Sequence, residues 1–208
     1  MPVDTATKRA RFGTLHERGC FVIPNPWDIG SAKRLERMGF QALASTSSGS
    51  AWAMGREDGQ LSLEEVLSHL RQLCLATDLP VNADFEAGFA DDIKQLSANV
   101  ALAIETGVSG LSIEDYYNGR LYDVSEATER ISATREAINS THANVLLVGR
   151  AEGFLRGNPD LDDIVRRLVS YAQAGADCLY APGIKDLSAI RAIVNAVAPK
   201  PVNVLLYG

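Results

Sequence analysis

The chain has 208 residues, with 20 lysines and arginines against 26 aspartates and glutamates, a formal charge of −6 at pH 7. Apolar residues at 46% and charged residues at 22% are ordinary globular values, enough for a sizeable core and against wholesale disorder. A net acidic chain without a lysine/arginine run suits neither nucleic acid nor an anionic membrane surface, and no stretch approaches the length of a transmembrane span, so neither is an expected partner.

In chain order, residues 1–10 are polar and lack the apolar centre of a signal peptide. Cys20, Cys74 and Cys178 lie far apart in apolar runs, without metal or redox spacing. They read as buried thiols of a reducing compartment, the cytoplasm. Short apolar runs at 20–24, 42–46, 80–85, 110–114, 144–150, 178–181 and 201–206 predict seven strands, separated by stretches of helical periodicity. In one of these, Leu63, Val66, Leu67, Leu70, Leu73 and Cys74 fall on a single face, and Ser62 with Glu65 forms a capping box at its start. Another opens at Asn158-Pro159 and carries Leu161, Ile164, Val165, Leu168 and Val169 as its apolar stripe.

Gly39, Gly107 and Gly175 each stand between a predicted helix and the next strand, where a left-handed terminating residue is needed. Their spacing is 68 residues twice, or two strand–helix units of 34, which predicts a parallel sheet with right-handed crossovers. No linker divides the chain, so residues 1–208 are expected to form a single domain.

Periodicity alone admits a doubly wound open sheet or an eight-stranded (β/α)8 barrel of the TIM type. The barrel is favoured because polar residues end many strands: Ser47-Ser48, Asp84 and Glu86, Glu114-Asp115, Arg150 and Glu152, and Asn203. In a barrel these ends share one mouth, whereas a doubly wound sheet gathers ligands at one switch point. Seven strands are visible, and an eighth unit with a C-terminal helix is expected to be absent from the 208 residues. The open first and seventh strands then need either a partner or a longer chain to cover them.

Asp84, Glu86 and Glu114 end neighbouring predicted strands, about 5 Å apart. Single strand-end carboxylates are often merely solvated or cap a helix. Three together require a cation or protons, and with no His or Cys nearby the all-oxygen set favours Mg²⁺ or Mn²⁺ over zinc. Arg150 either bridges to Glu152 or Glu114 or grips a substrate carboxylate. The small residues Ser47, Ser48, Gly49 and Ser50 leave backbone N–H groups accessible to an anion. His16, His69 and His142 fall on predicted helices, away from the strand ends, and read as structural. Trp27, Tyr180 and Phe154 flank the mouth.

These residues, with segments 21–28 and 55–58, Asp84-x-Glu86-x-Gly88-Phe89, 110–115, Arg150-x-Glu152 and Ala174-Gly175-Ala176-Asp177, occur in the order seen in the isocitrate lyase/phosphoenolpyruvate mutase superfamily. The resemblance covers nearly the whole chain and is closest to the small, mutase-like branch. It implies a (β/α)8 barrel that binds Mg²⁺ and a small 2-oxo or 2-hydroxy carboxylate and works through an enolate-like intermediate. By position, Asp84 would bind the metal directly, Glu86 and Glu114 would hold its waters, and Asp58 would support them. Arg150, with Glu152 and Asn203 beside it, would take the substrate, and amides near Ser48, Gly49 and Ser50 would receive the developing oxyanion. The family's dimers or tetramers imply a homo-oligomer.

Two departures narrow the activity. The carbon–carbon lyases of this superfamily place a catalytic Cys in the loop after the fourth strand. Here residues 115–123 contain none, and Tyr116, Arg120 and Tyr122 are left to close over a substrate. Pro182 replaces a polar residue at the far end of the pocket. The expected activity is an Mg²⁺-dependent lyase that cleaves a C–C or P–C bond or decarboxylates. Its alternatives are a phosphonopyruvate-type hydrolase or phosphonomutase, and a catalytically idle metabolite-binding barrel.

Overall fold

The computed structural model describes residues 2–206. Its main sheet holds six parallel strands, β1 (Leu43–Ala44), β2 (Val81–Asp84), β3 (Gly110–Glu114), β6 (Leu146–Arg150), β7 (Cys178–Tyr180) and β8 (Val202–Asn203). A two-residue-per-arm hairpin, β4 (Tyr116–Tyr117) and β5 (Arg120–Leu121), forms a separate sheet. The strand order in the main sheet follows the chain without reversal, so there is no switch point. The doubly wound alternative is thereby excluded, and the sheet is a curled α/β arrangement of the barrel type.

Eight helices are present among the described residues: α1 (Thr5–Glu17), α2 (Ile29–Arg37), α3 (Ser47–Ala53), α4 (Leu63–Ala76), α5 (Ile93–Glu105), α6 (Val124–Ser140), α7 (Leu161–Gln173) and α8 (Leu187–Val197). α4 starts with the expected capping box and buries Val66, Leu70, Leu73 and Cys74. α7 buries Ile164 and Leu168, with Leu161, Val165 and Val169 packed at its margin, and Asp160 caps it. Gly39, Gly107 and Gly175 all have positive φ, at 89°, 98° and 107°. No described helix is long and apolar enough to cross a membrane.

The segment 20–24 departs from expectation. It lies alongside β1 but is tied to it by only one backbone bond, from Ala44 N–H to Pro24 O at 3.0 Å. Pro24 and Pro26 lack the N–H groups a ladder requires, so the apolar run does not become a regular strand. Six strands therefore stand in the sheet where seven were expected. Cys20, on this segment, is exposed, whereas Cys74 and Cys178 are buried with thiols pushed up to about 12 by desolvation.

Period-two alternation divides the strands between two faces. Leu111, Ile113, Leu147 and Leu179 face the helices and join the large outer core. Leu146 and Val148 of β6 and Cys178 and Tyr180 of β7 face the concave side, where they meet Phe12 and Ala42 in a second cluster. α1 delivers Phe12 to this cluster, and a Cβ on Gly110 would sit 2.6 Å from its ring. The concave face is thus plugged at the bottom by apolar side chains, and its upper row is left for polar ones. Phe12→Ala is expected to cost about 3–5 kcal/mol, because the ring is fully buried and the rigid sheet cannot collapse onto the void. Urea denaturation checks this.

Candidate active site

Strand register places Glu114 beside Arg150, Arg150 beside Tyr180 and Tyr180 beside Asn203, in one row across four strand ends. All four share the concave face with the plug below them. Arg150 organises the row. Its Nη1 lies 3.1 Å from Asp84 Oδ1, while its Nε lies 2.5 Å from Glu152 Oε1 and 3.5 Å from Glu114 Oε2. Its guanidinium also stands 5.3 Å from the centre of the Tyr180 ring. The other Asp84 oxygen accepts from Ser47 N–H at 3.0 Å, and Asp84 N–H donates to Ser45 Oγ at 2.8 Å.

Glu86 reaches the site through a strained turn. Glu86, Gly88 and Phe89 all have positive φ (47°, 79° and 57°), which two non-glycine residues adopt only if the surroundings impose it. Arg130 of α6 imposes it. This fully buried guanidinium donates to Ala87 O, Ala90 O and Asp91 O at 2.5–2.9 Å. Asn99 of α5 donates to Gly88 O and Phe89 O. A side chain on Gly88 would collide with Leu96 Cδ1 at 2.1 Å, so the turn needs glycine for space as well as for φ.

Glu152 is held as firmly. It is completely buried, and its N–H donates to Asp115 Oδ1 at 2.8 Å. The second Asp115 oxygen accepts from Tyr171 Oη at 2.6 Å and Arg167 Nη1 at 3.1 Å, both from α7. Glu152 Oε2 makes no hydrogen bond, but Arg156 Nε faces it at ion-pair distance, 3.2 Å. Arg130, Arg167 and Tyr171 escaped the sequence reading, since charged or polar residues inside amphipathic helices look like surface positions.

The charge balance of the site is negative. Desolvation, then Asp84 and Asp58, raise the Glu86 carboxyl to about 7, against relief from Arg150 and Arg156. Desolvation also lifts Glu114 well above the usual carboxylate range, with Glu152, Asp84 and Glu86 adding to the rise and Arg150 opposing it. Asp58 lies on the exposed turn after α3, within electrostatic reach of Glu86. Among the described residues no three His, Cys, Asp or Glu side chains converge tightly enough to coordinate one ion directly. An ion here would rest on one or two carboxylates and keep waters, as Mg²⁺ does.

The run from Ser47 to Ser50 is the first turn of α3, not an open loop. Thr46 caps it, with Oγ1 accepting from Gly49 N–H at 3.1 Å and its carbonyl from Ser50 N–H. With Ser47 N–H on Asp84, three of the four amides are occupied, and Ser48 N–H has no protein acceptor among the described residues. His69 lies closer to this region than expected, its Nε2 bonded to Ser50 Oγ at 3.0 Å. An open groove of about 450 Å³ adjoins Ser48 and Gly49, walled by Trp27 and Trp52. Phe154 is half-buried and packs against the outer core.

The loop after β3 is a hairpin whose turn residues, Asn118 and Gly119, have φ of 49° and 80°. Asn-Gly is a strong sequence signal for this turn and could have located the hairpin. Tyr116 lies under the Arg156 guanidinium at 3.9 Å. Arg120 instead makes a two-pronged, exposed pair with Glu126, at 2.7 and 2.9 Å, and is not brought to the Arg150 cluster. Tyr122 is buried, with its hydroxyl on Asp91.

This fold and this row of strand-end carboxylates around an arginine define a class that comparison with known proteins places. Residues 12–208 match the family described as phosphoenolpyruvate phosphomutase. The chain belongs to that family, within the isocitrate lyase/phosphoenolpyruvate mutase superfamily. A Burkholderia cenocepacia J2315 structure provisionally described as a lyase/mutase superposes with a TM-score of 0.95 at 42% identity, covering 98% of this chain and 74% of that one. A second structure from the same strain, provisionally described as a phosphonomutase, gives 0.89 at 35%, covering 96% and 83%. The 2-methylisocitrate lyase of Escherichia coli K12 is 27% identical over 185 residues, 83% of this chain but only 61% of the lyase.

The raised Glu86 pKa sets a pH dependence. In chelator-treated protein, the folded state keeps a proton on Glu86 up to about pH 7, while the unfolded chain releases it near 4.5. The folded state binds more protons across that window, so stability falls as pH rises through it. Glu86→Gln is therefore expected to stabilise the protein at pH 8 by on the order of 1–3 kcal/mol and to have little effect at pH 4. Thermal melts at the two pH values check the sign.

Proposed function

We propose that the chain is a lyase acting on a small 2-oxo or 2-hydroxy carboxylate. A 2-oxo acid would lose CO₂ as the electrons of the broken bond pass to the 2-oxygen. A 2-hydroxy acid would give up its hydroxyl proton and form a carbonyl at C2 as the electrons of the broken C–C bond leave with the departing fragment as an enolate. The observation that supports this reading is the buried Arg150 bonded to Asp84 and Glu152 with Glu114 alongside, at the carboxyl ends of the strands. Counting Asp84, Glu86, Glu114 and Glu152 against Arg150 and Arg156 leaves a formal charge of 2 − 4 = −2. A divalent cation would balance that charge, and the all-oxygen donor set suits Mg²⁺ or Mn²⁺.

Asp84 would hold the cation, with Glu86 and Glu114 on its waters and Asp58 beyond them. Once bound it would supply Lewis acidity where negative charge builds on the substrate. Arg150 would hold the substrate carboxylate in a fixed pose, with its own orientation set by Glu152. Ser48 N–H is the amide available to the developing oxyanion. The loop after β3 carries no thiol, so a proton returned to the product carbon would have to come from another group or from water. The hairpin, through Tyr116, would exclude water from above. Phosphonate chemistry is the second reading, favoured by the 35% identical protein described as a phosphonomutase.

Product formation from a panel of 2-oxo and 2-hydroxy acids tests the proposal. Turnover with Mg²⁺ is expected to vanish with EDTA and with Asp84→Ala, and to fall about a hundredfold or more with Arg150→Gln. Ligand binding without product at any Mg²⁺ concentration would make the chain a binding protein instead.

A further inference from the structure

Arg156 stands on the turn that follows β6, outside the set of residues the proposed reaction uses. Its Nε lies 3.2 Å from Glu152 Oε2, and its guanidinium rests on the Tyr116 ring at 3.9 Å. Glu152 therefore carries an arginine on each oxygen, with Arg150 on Oε1 at 2.5 Å. Because Glu152 is fully buried and its N–H is tied to Asp115, the two guanidiniums are fixed to each other across the width of one carboxylate.

The two arginines are used differently. Arg150 commits Nε to Glu152 and Nη1 to Asp84, and only 15% of its side chain is exposed. Arg156 commits Nε alone. Neither of its Nη atoms has a protein acceptor among the described residues, and 36% of its side chain is open. Stacking on Tyr116 restricts the guanidinium without consuming its N–H groups. Its charge also reaches Glu86, which places it on the same mouth as the carboxylates. A stacked guanidinium with a free Nη pair is built to accept a carboxylate through two parallel bonds.

We propose that Arg156 is a specificity-determining residue that receives a second carboxylate of the substrate, so that the site selects 2-oxo or 2-hydroxy dicarboxylates over monocarboxylates of the same length. This rests on the reading of Arg150 as the holder of the first carboxylate. A purely structural Arg156, bracing Glu152 and Tyr116, would affect both kinds of ligand alike.

Malate and 2-hydroxybutyrate make the distinction, since they share a four-carbon chain and differ only in the second carboxylate. Calorimetric titration in the presence of Mg²⁺ is expected to show malate binding at least tenfold more tightly to the wild type. Arg156→Gln is expected to remove that margin and leave 2-hydroxybutyrate affinity within about twofold. Arg156→Lys, which keeps the charge without the fork, is expected to retain part of the margin and serves if the glutamine variant does not fold. Equal binding of the two ligands to the wild type, or equal weakening of both by the variants, overturns the assignment of Arg156 alone. Failure of the wild type to bind either ligand overturns the lyase reading beneath it.

Discussion

The site depends on one buried cation. Arg150 is almost wholly removed from water, and a guanidinium in that position is tolerated only if carboxylates surround it. Asp84, Glu114 and Glu152 do so from three different strand ends. The arrangement overshoots neutrality: more carboxylates gather than the arginines can balance, and burial together with this crowding raises the carboxyls of Glu86 and Glu114 above their usual range. A structural salt bridge would need one partner. The excess gives the cluster a demand for further positive charge, and the proposed catalytic role rests on that demand.

Much of the surrounding structure serves to hold that cluster in place. Arg130 fixes the carbonyls of the turn that carries Glu86, and Asp115, braced by Arg167 and Tyr171, fixes the peptide of Glu152. Each is a buried polar group with several partners, so removing one leaves the others unsatisfied at a cost of several kcal/mol. The positive φ of Glu86 and Phe89 is the local strain this bracing sustains. Beneath, the Phe12 plug fills the bottom of the concave face below the row of polar side chains.

The barrel-type sheet was legible because period-two strands, amphipathic helices and helix-ending glycines each leave a direct trace in residue order. Asp84, Glu114 and Arg150 were legible because a charge ending an apolar strand is conspicuous. Arg130 and Arg167 were not. Arg130 is held inside by carbonyls about forty residues away. Arg167, beside its pair with Asp163 one turn back, is held by Asp115 and the Tyr122 carbonyl from another part of the chain. The Ser/Gly run from Ser47 read as small residues with accessible N–H groups, and its weak helix propensity hid that the cap supplied by Thr46 and the contact with Asp84 make it a helix start with most of those groups occupied. Residues 20–24 misled in the opposite direction: apolarity suggested a strand, although Pro24 and Pro26, visible in the sequence, lack the donors a ladder needs. Arg120 sits in the loop expected to close over the substrate, but Glu126 offers it a nearer partner.

The most direct test of the account is calorimetric titration of oxalate, a planar mimic of an enolate, into the wild type and Asp84→Ala, each with and without Mg²⁺. Oxalate is expected to bind the wild type only when Mg²⁺ is present, and not to bind the variant under either condition. Oxalate binding that ignores both Mg²⁺ and Asp84, or no binding at all, would contradict it and leave the carboxylate cluster as a structural anchor for Arg150.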